Sequence, residues 1–207
     1  MTLARTFRSG RGAINTIDAL DISTGNNVVN LFAANVSGAT ILTNVSVPSE
    51  ETVKIIPNSN YANRVEFDME FTVPQTIKGD VIISTPLCVT SNAGGGRWAD
   101  LELTGIQKVG TDGTTITHIA SGAGTKFIAE GTASGGAIMG VKLSDIDVSF
   151  RPKEKLRFFV SSQGDTNGEN GIACDPSNRD PWGDWEGMIV DGATTRTTIQ
   201  VPFKVNF

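Results

Sequence analysis

The clearest pattern along the chain is the alternation of apolar and polar positions over residues 65–73. Apolar side chains occupy every second position there, and acidic or hydroxyl side chains fill the positions between them. Successive side chains of a β-strand point to opposite faces, so this pattern predicts a strand with one buried and one wet face. Pro74 follows, and proline cannot donate to a strand ladder, so we expect the strand to end there.

The same alternation recurs at residues 156–161 and 197–207, and turn signals separate the apolar runs at intervals of roughly 8–12 residues. Asp112-Gly113 is one such signal, because this pair tolerates the positive φ angles of a tight hairpin turn. No helical periodicity longer than about two turns is evident. The pattern therefore predicts an all-β fold, a single jelly-roll or Greek-key β-sandwich of roughly eight to ten strands. The sandwich domain is expected over residues 28–207, preceded by a partly extended arm over residues 1–27.

Composition and charge narrow the classes of function. The 207 residues include 17 basic and 22 acidic side chains, a formal net charge of −5. Such a chain has no global electrostatic attraction to nucleic acid or to an anionic membrane, so we expect neither as a partner. No apolar run approaches a membrane span, and the first residues lack the apolar segment of a signal peptide, which favours synthesis in the cytoplasm.

Catalytic and cofactor motifs are not evident. His118 is the only histidine, it shares the pattern of the exposed side of its strand, and no Gly-x-Ser-x-Gly elbow accompanies it. The Gly-rich stretches NAGGGR and SGAGTKF lack the Gly-Lys-Ser/Thr order that cradles a phosphate. We therefore expect no catalytic residue, no cofactor and no metal site, and hence a protein that is not an enzyme.

The stretch over residues 164–187 is unusually rich in carboxylates and tryptophan. It fails the EF-hand pattern, because Asn170 and Pro176 stand where that loop needs Gly and Glu. We interpret it as an exposed loop between strands and a partner-contact surface, with Trp182 and Trp185 as apolar anchors and Asp184 in the polar rim. A different calcium site is an alternative, with hard oxygen ligands from a group of neighbouring side chains: Asp175, Asn178, Asp180 and Asp184.

The arm carries Arg5, Arg8 and Arg11 within ARTFRSGRG, and we expect these arginines to contact a partner as well. With this arm and its Gly- and Thr-rich all-β body, the chain resembles the jelly-roll or β-sandwich decoration and minor capsid proteins of tailed bacteriophages. The resemblance implies a structural virion protein that is made in the host cytoplasm and located in the virion. Its partners would be further copies of itself and other capsid proteins.

Two other classes stay open. A carbohydrate- or receptor-binding β-sandwich module, as on a phage fibre, would use Trp182, Trp185 and the nearby carboxylates, because tryptophan faces stack on sugars. An enzyme such as a glycoside hydrolase would need two carboxylates about 5–10 Å apart in a cleft, and Asp184 and Glu186 show no sign of one.

Overall fold

The computed structural model describes residues 26–45, 53–56, 64–91, 97–123, 127–129, 135–164, 168–174 and 196–204. These residues form twelve β-strands and no helix, and they include no helix long and apolar enough to cross a membrane. The strands are β1 Asn26–Val36, β2 Ala39–Thr43, β3 Val53–Ile56, β4 Val65–Glu70, β5 Gln75–Ser91, β6 Arg97–Val109, β7 Ile116–Gly122, β8 Phe127–Ala129, β9 Gly135–Phe150, β10 Lys155–Gly164, β11 Gly168–Ala173 and β12 Thr198–Lys204.

All strands belong to one hydrogen-bonded sheet in the order β3-β11-β5-β12-β1-β2-β4-β10-β6-β7, with β9 on the free side of β5 and β8 beside β6. The β2–β4 junction is parallel and consists of one pairing, Ile41 with Asp68. The core takes Ile83 and Val201 from one half of the sheet and Phe67 and Phe158 from the other. The sheet therefore folds over at this junction into two layers around one core, which confirms the predicted all-β sandwich.

The alternating stretch forms β4 largely as predicted. Val65 and Phe67 enter the core, and Asp68 faces the outer side. The ladder ends earlier than the pattern suggests, because the backbone of Phe71 bonds to Glu154 and Lys153 in the turn before β10. The chain bends after Phe71, and Val73 is 54% exposed instead of buried.

The Asp112-Gly113 turn is confirmed. Gly113 has a φ of 72°, a left-handed conformation that glycine adopts without strain. The Asp112 carboxylate accepts hydrogen bonds from the Thr115 hydroxyl, at 2.6 Å, and from the amides of Thr114 and Thr115. These bonds, the hydroxyl one foremost, hold the pKa of Asp112 well below its usual range.

The prediction of a continuous loop over residues 164–187 is wrong in its first part. Gly168–Ala173 forms β11, which pairs with β5 on one side and with β3 on the other. Ile172 lies fully buried in the core, so tertiary pairing overrides the weak strand preference of its Gly and Asn neighbours. Short strands such as β3, β8 and β11 also explain why twelve strands form where roughly eight to ten are predicted.

Candidate functional site

The described part of the chain has a cleft at one end of the sandwich, with a volume of about 490 Å³. It lies where the start of β1, the end of β12 and the chain after β4 come together. We call it the end cleft. The described residues that line it are Asn27, Val29, Leu31, Asn44, Met69, Phe71, Pro74, Gln75, Phe203 and Lys204.

Strand pairing brings distant parts of the sequence to this cleft. β1 runs antiparallel to β12, with Asn27 opposite Phe203 and Val29 opposite Val201. Alternation on β1 turns Val29 and Leu31 inward, whereas Val28 between Asn27 and Val29 is 51% exposed on the outer face. One face of β1 therefore lines the cleft, and the other face is exposed to solvent.

The floor of the cleft is apolar and well packed. Leu31 is fully buried, and Phe71 is 6% exposed. The Phe71 ring lies 4.8 Å from the Phe150 ring and meets the Phe203 ring edge-on at 5.9 Å. Aromatic contacts of this geometry are favourable beyond the area they bury, so the floor is held rigidly.

The rim of the cleft is polar. Asn27, Asn44 and Gln75 supply amide groups that both donate and accept hydrogen bonds. Lys204, exposed at the end of β12, is the only charged residue among the described residues that line the cleft. An apolar floor below a few polar groups is the usual composition of a small-molecule site.

A second polar feature lies on the outer face of β7. His118 Nε2 is 3.3 Å from the Ser121 hydroxyl. The two side chains share a face because the β6–β7 register shifts between Ile106 and Gln107, which leaves Ile119 without a partner. A nucleophilic serine also needs a third group that orients the histidine, and in the described part of the chain no carboxylate bonds to His118. His118 is exposed, as the sequence predicts, and Ser121 is half-buried. We assign the pair no catalytic role.

Charged side chains form a network on the outer face of β4 and β10. The Arg157 guanidinium bonds to both carboxylate oxygens of Asp68 and also pairs with Glu66. The hydrogen bond to Asp68 is the main reason why the pKa of Arg157 lies above its usual value. Arg64 pairs with Glu66 at 2.6 Å and lies 5.0 Å above the Phe159 ring. Because its charges are mutually paired, this network has a structural role.

Metal binding has no support in the part of the chain that the structure describes, where no group of three or more His, Cys, Asp or Glu side chains could hold an ion. The alternative calcium ligands over residues 175–184 lie outside that part, as do the predicted contact residues Arg5, Arg8, Arg11, Trp182, Asp184 and Trp185. The predicted roles of these residues stay predictions.

Sequence reasoning missed the end cleft. Its floor residues belong to ordinary strand patterns, and Asn27, Asn44 and Gln75 resemble any polar residues near turns. The one available signal is Lys204, a basic residue at one of the polar positions of the alternating C-terminal stretch.

Comparison with known proteins yields structural matches alone. No protein-family model and no curated protein matches the sequence. Two crystal structures of a CocE/NonD family hydrolase from Staphylococcus aureus share the fold, with TM-scores of 0.57 and 0.58 and sequence identities of 11% and 12%. The matches cover 86% and 87% of this chain but 37% of the hydrolase chain in each case, so this chain spans little more than a third of that protein's length. At such identities the likeness establishes a shared fold.

An aminopeptidase from a marine sediment Thaumarchaeota archaeon also matches over 86% of this chain and 35% of its own, at 9% identity. Its TM-score of 0.46 is too low to support an argument.

These matches correct the sequence-based interpretation. The resemblance to tailed-phage capsid proteins is wrong, and so are the virion function and the decoration role inferred from it, because the solved structures that share the fold are hydrolases. The expectation that the chain is not an enzyme is contradicted by the same structures. The compositional likeness misled because a Gly- and Thr-rich all-β chain is compatible with many functions. The virion location and capsid partners rested on that likeness and stay untested.

Proposed function

We propose that this chain is a β-sandwich domain of a hydrolase and that it binds part of a small-molecule substrate in the end cleft. The observation that carries the proposal is the cleft itself. Its volume of about 490 Å³ lies within the range of ligand sites, which is about 300–1,000 Å³. The fold shared with CocE/NonD family hydrolases supports the enzyme class.

The composition of the cleft favours a ligand with an apolar body and a polar end. Phe71, Phe203 and Met69 offer an apolar surface whose removal from water favours binding, by about 25 cal/mol per Å² of apolar area. A polar group placed on this floor would lose its hydration without gaining a partner. The polar end of the ligand therefore lies at the rim, beside Gln75 and the asparagines.

The proposal is tested by titrating the chain with 2-phenylethanol and with methyl phenylacetate, followed by methyl-resolved NMR. We expect the signals of Val29 and Met69 to shift, because both side chains line the cleft. The same spectra follow conversion of the ester to acid and alcohol, so they also measure whether the chain hydrolyses the probe.

A matched pair of variants locates the binding. Val29→Trp fills the cleft, whereas Val28→Trp places the same bulk on the exposed outer face of the same strand. We expect Val29→Trp to abolish the shifts and Val28→Trp to retain them. Shifts that persist in a folded Val29→Trp variant, or that map to another surface, would refute the proposed site.

A further inference from the structure

We propose that the end cleft selects ligands that carry an amide bond, with Asn27 and Gln75 as the side chains that recognise it. This inference rests on the proposed function and names its substrate class: an amide attached to an apolar body that fits the floor. The recognised group is one that donates and accepts hydrogen bonds at neighbouring atoms.

The inward orientation of the two rim amides is the first observation. Asn27 lies opposite Phe203 in the β1–β12 register and shares its face of β1 with Val29. Gln75 lies opposite Phe150 in the β5–β9 register, and Phe150 is a buried core residue. Both amide side chains therefore start on the core-facing side of their strands, next to aromatic rings.

The chemical character of these groups is the second observation. Lys204 follows Phe203 in β12, so its side chain starts on the opposite, outer face of the strand. The polar groups that β1 and β5 turn into the cleft are the carboxamides of Asn27 and Gln75. Each carries a carbonyl oxygen that accepts hydrogen bonds and an NH₂ group that donates them.

The burial of the two amides sets what a ligand must supply. Asn27 and Gln75 are half-buried, so a ligand that covers them removes the remaining water from both polar ends. A buried donor or acceptor without a partner costs more free energy than a typical hydrogen bond contributes. An ester accepts hydrogen bonds and donates none, so it leaves the side-chain carbonyl oxygens without a donor. An amide supplies an N–H and a C=O together and satisfies both.

The sheet order places the two side chains on different sides of the ligand. β12 lies between β5 and β1, so Gln75 and Asn27 flank the strand that carries Phe203. The Phe203 ring meets the Phe71 ring edge-on at 5.9 Å, and this apolar floor has no partner for a polar group. The apolar body of the ligand therefore lies on the floor, and its amide lies at the rim, where one side chain donates to it and the other accepts from it.

The test compares two probes of the same shape, N-methyl-2-phenylacetamide and methyl phenylacetate, in NMR titrations of the whole chain with freshly mixed samples. The probes differ at one position, where the amide has an N–H and the ester has an oxygen. We expect the amide to bind about fivefold more tightly, which corresponds to one further hydrogen bond. The signals of Val29 and Met69, which line the cleft, report both affinities.

Matched variants separate recognition at the rim from a general effect of the substitution. Gln75→Met removes the rim amide and keeps the length of the side chain, whereas Gln200→Met makes the same change on the exposed outer face of β12. Asn27→Leu and Asn30→Leu form the same kind of pair on β1. We expect the preference for the amide probe to disappear in the two cleft variants and to persist in the two outer-face variants. The ester should bind all four, because the apolar floor is unchanged.

Equal affinity of the wild-type chain for the two probes would overturn the amide inference while leaving the cleft as a binding site. A preference that persists in both cleft variants, or that falls equally in the outer-face variants, would overturn it as well. If neither probe binds, the proposed function itself fails.

Discussion

Arg157 and Asp68 form a two-pronged ion pair across β10 and β4, with Nε 2.7 Å from Oδ1 and Nη2 2.9 Å from Oδ2. The two residues are opposite each other in the strand register. Planar guanidinium and carboxylate groups match in this geometry, which makes such pairs stronger than single hydrogen bonds. The pair links β10 to β4 on the outer face of the layer that contains both strands.

The Arg157 pair should contribute to stability through its geometry as well as its charge. We expect Arg157→Lys to lower the free energy of unfolding by about 1 kcal/mol, because lysine keeps the charge but loses the fork. Arg157→Ala should cost about 2–3 kcal/mol, since it leaves Glu66 and Asp68 without their shared cation. Urea denaturation measures both variants.

The control is the exposed pair of Lys78 with Asp147, at 3.2 Å. Exposed pairs of this kind contribute little, so Lys78→Ala should change stability by less than about 1 kcal/mol. If Arg157→Lys lowers the free energy of unfolding by no more than this control does, the fork geometry is unimportant.

Glu154 should make stability depend on pH. Burial alone would raise its carboxyl pKa, but hydrogen bonds from the Lys108 ammonium and the Arg151 amide outweigh burial and leave the pKa below its ordinary value of 4.5. A carboxyl whose pKa is lower in the folded state stabilises that state at pH values above the unfolded pKa. This contribution is lost as the pH falls through the folded pKa.

We therefore expect Glu154→Gln to be less stable than the wild-type protein at neutral pH, by about 1 kcal/mol. The difference should shrink as the pH falls below about 4. Urea denaturation at a series of pH values measures it, and a difference that does not change with pH would contradict the assignment.

Two glycines should respond oppositely to alanine. Gly113 has a φ of 72°, and a Cβ there would meet no atom within 4 Å, so Gly113→Ala is penalised by backbone strain alone, about 1–2 kcal/mol. Gly140 in β9 has equally open space and no positive φ, so Gly140→Ala should be neutral or stabilise by up to about 1 kcal/mol. Thermal unfolding of the two variants checks the predicted difference in sign.

Phe159 should behave as a core residue although it lies on the outer side of its strand. It is 1% exposed, beneath the Arg64 guanidinium and 6.2 Å from the His118 ring. We expect Phe159→Ala to cost about 3–5 kcal/mol in chemical denaturation. Ile138→Ala is the control: Ile138 is 56% exposed, so truncation there should change stability by about 0.5 kcal/mol or less.

Strands with one wet face are visible in the sequence. The alternation predicts β4 and the core-facing side of β10, and it predicts most of β12. Phe159 is the exception: it is buried on the outer side of its strand by Arg64 and His118, which are distant in the sequence, so no local pattern predicts it. β11 is missed for a related reason: its Gly-rich sequence has little strand preference, and pairing with both β3 and β5 decides its conformation.

The end cleft lies beyond sequence reasoning for a geometric reason. It needs Asn27 opposite Phe203 and the bend after Phe71, and both depend on long-range pairing. Composition was a poor guide to function as well, because a Gly- and Thr-rich all-β chain is compatible with many functions.

A crystal structure of the chain grown with 2-phenylethanol tests the central claim most directly. The account predicts that the phenyl ring lies in the end cleft against Phe71 and Phe203, with the hydroxyl at the rim beside Gln75. A cleft that holds only water at saturating 2-phenylethanol, or a probe bound on another surface, would contradict it.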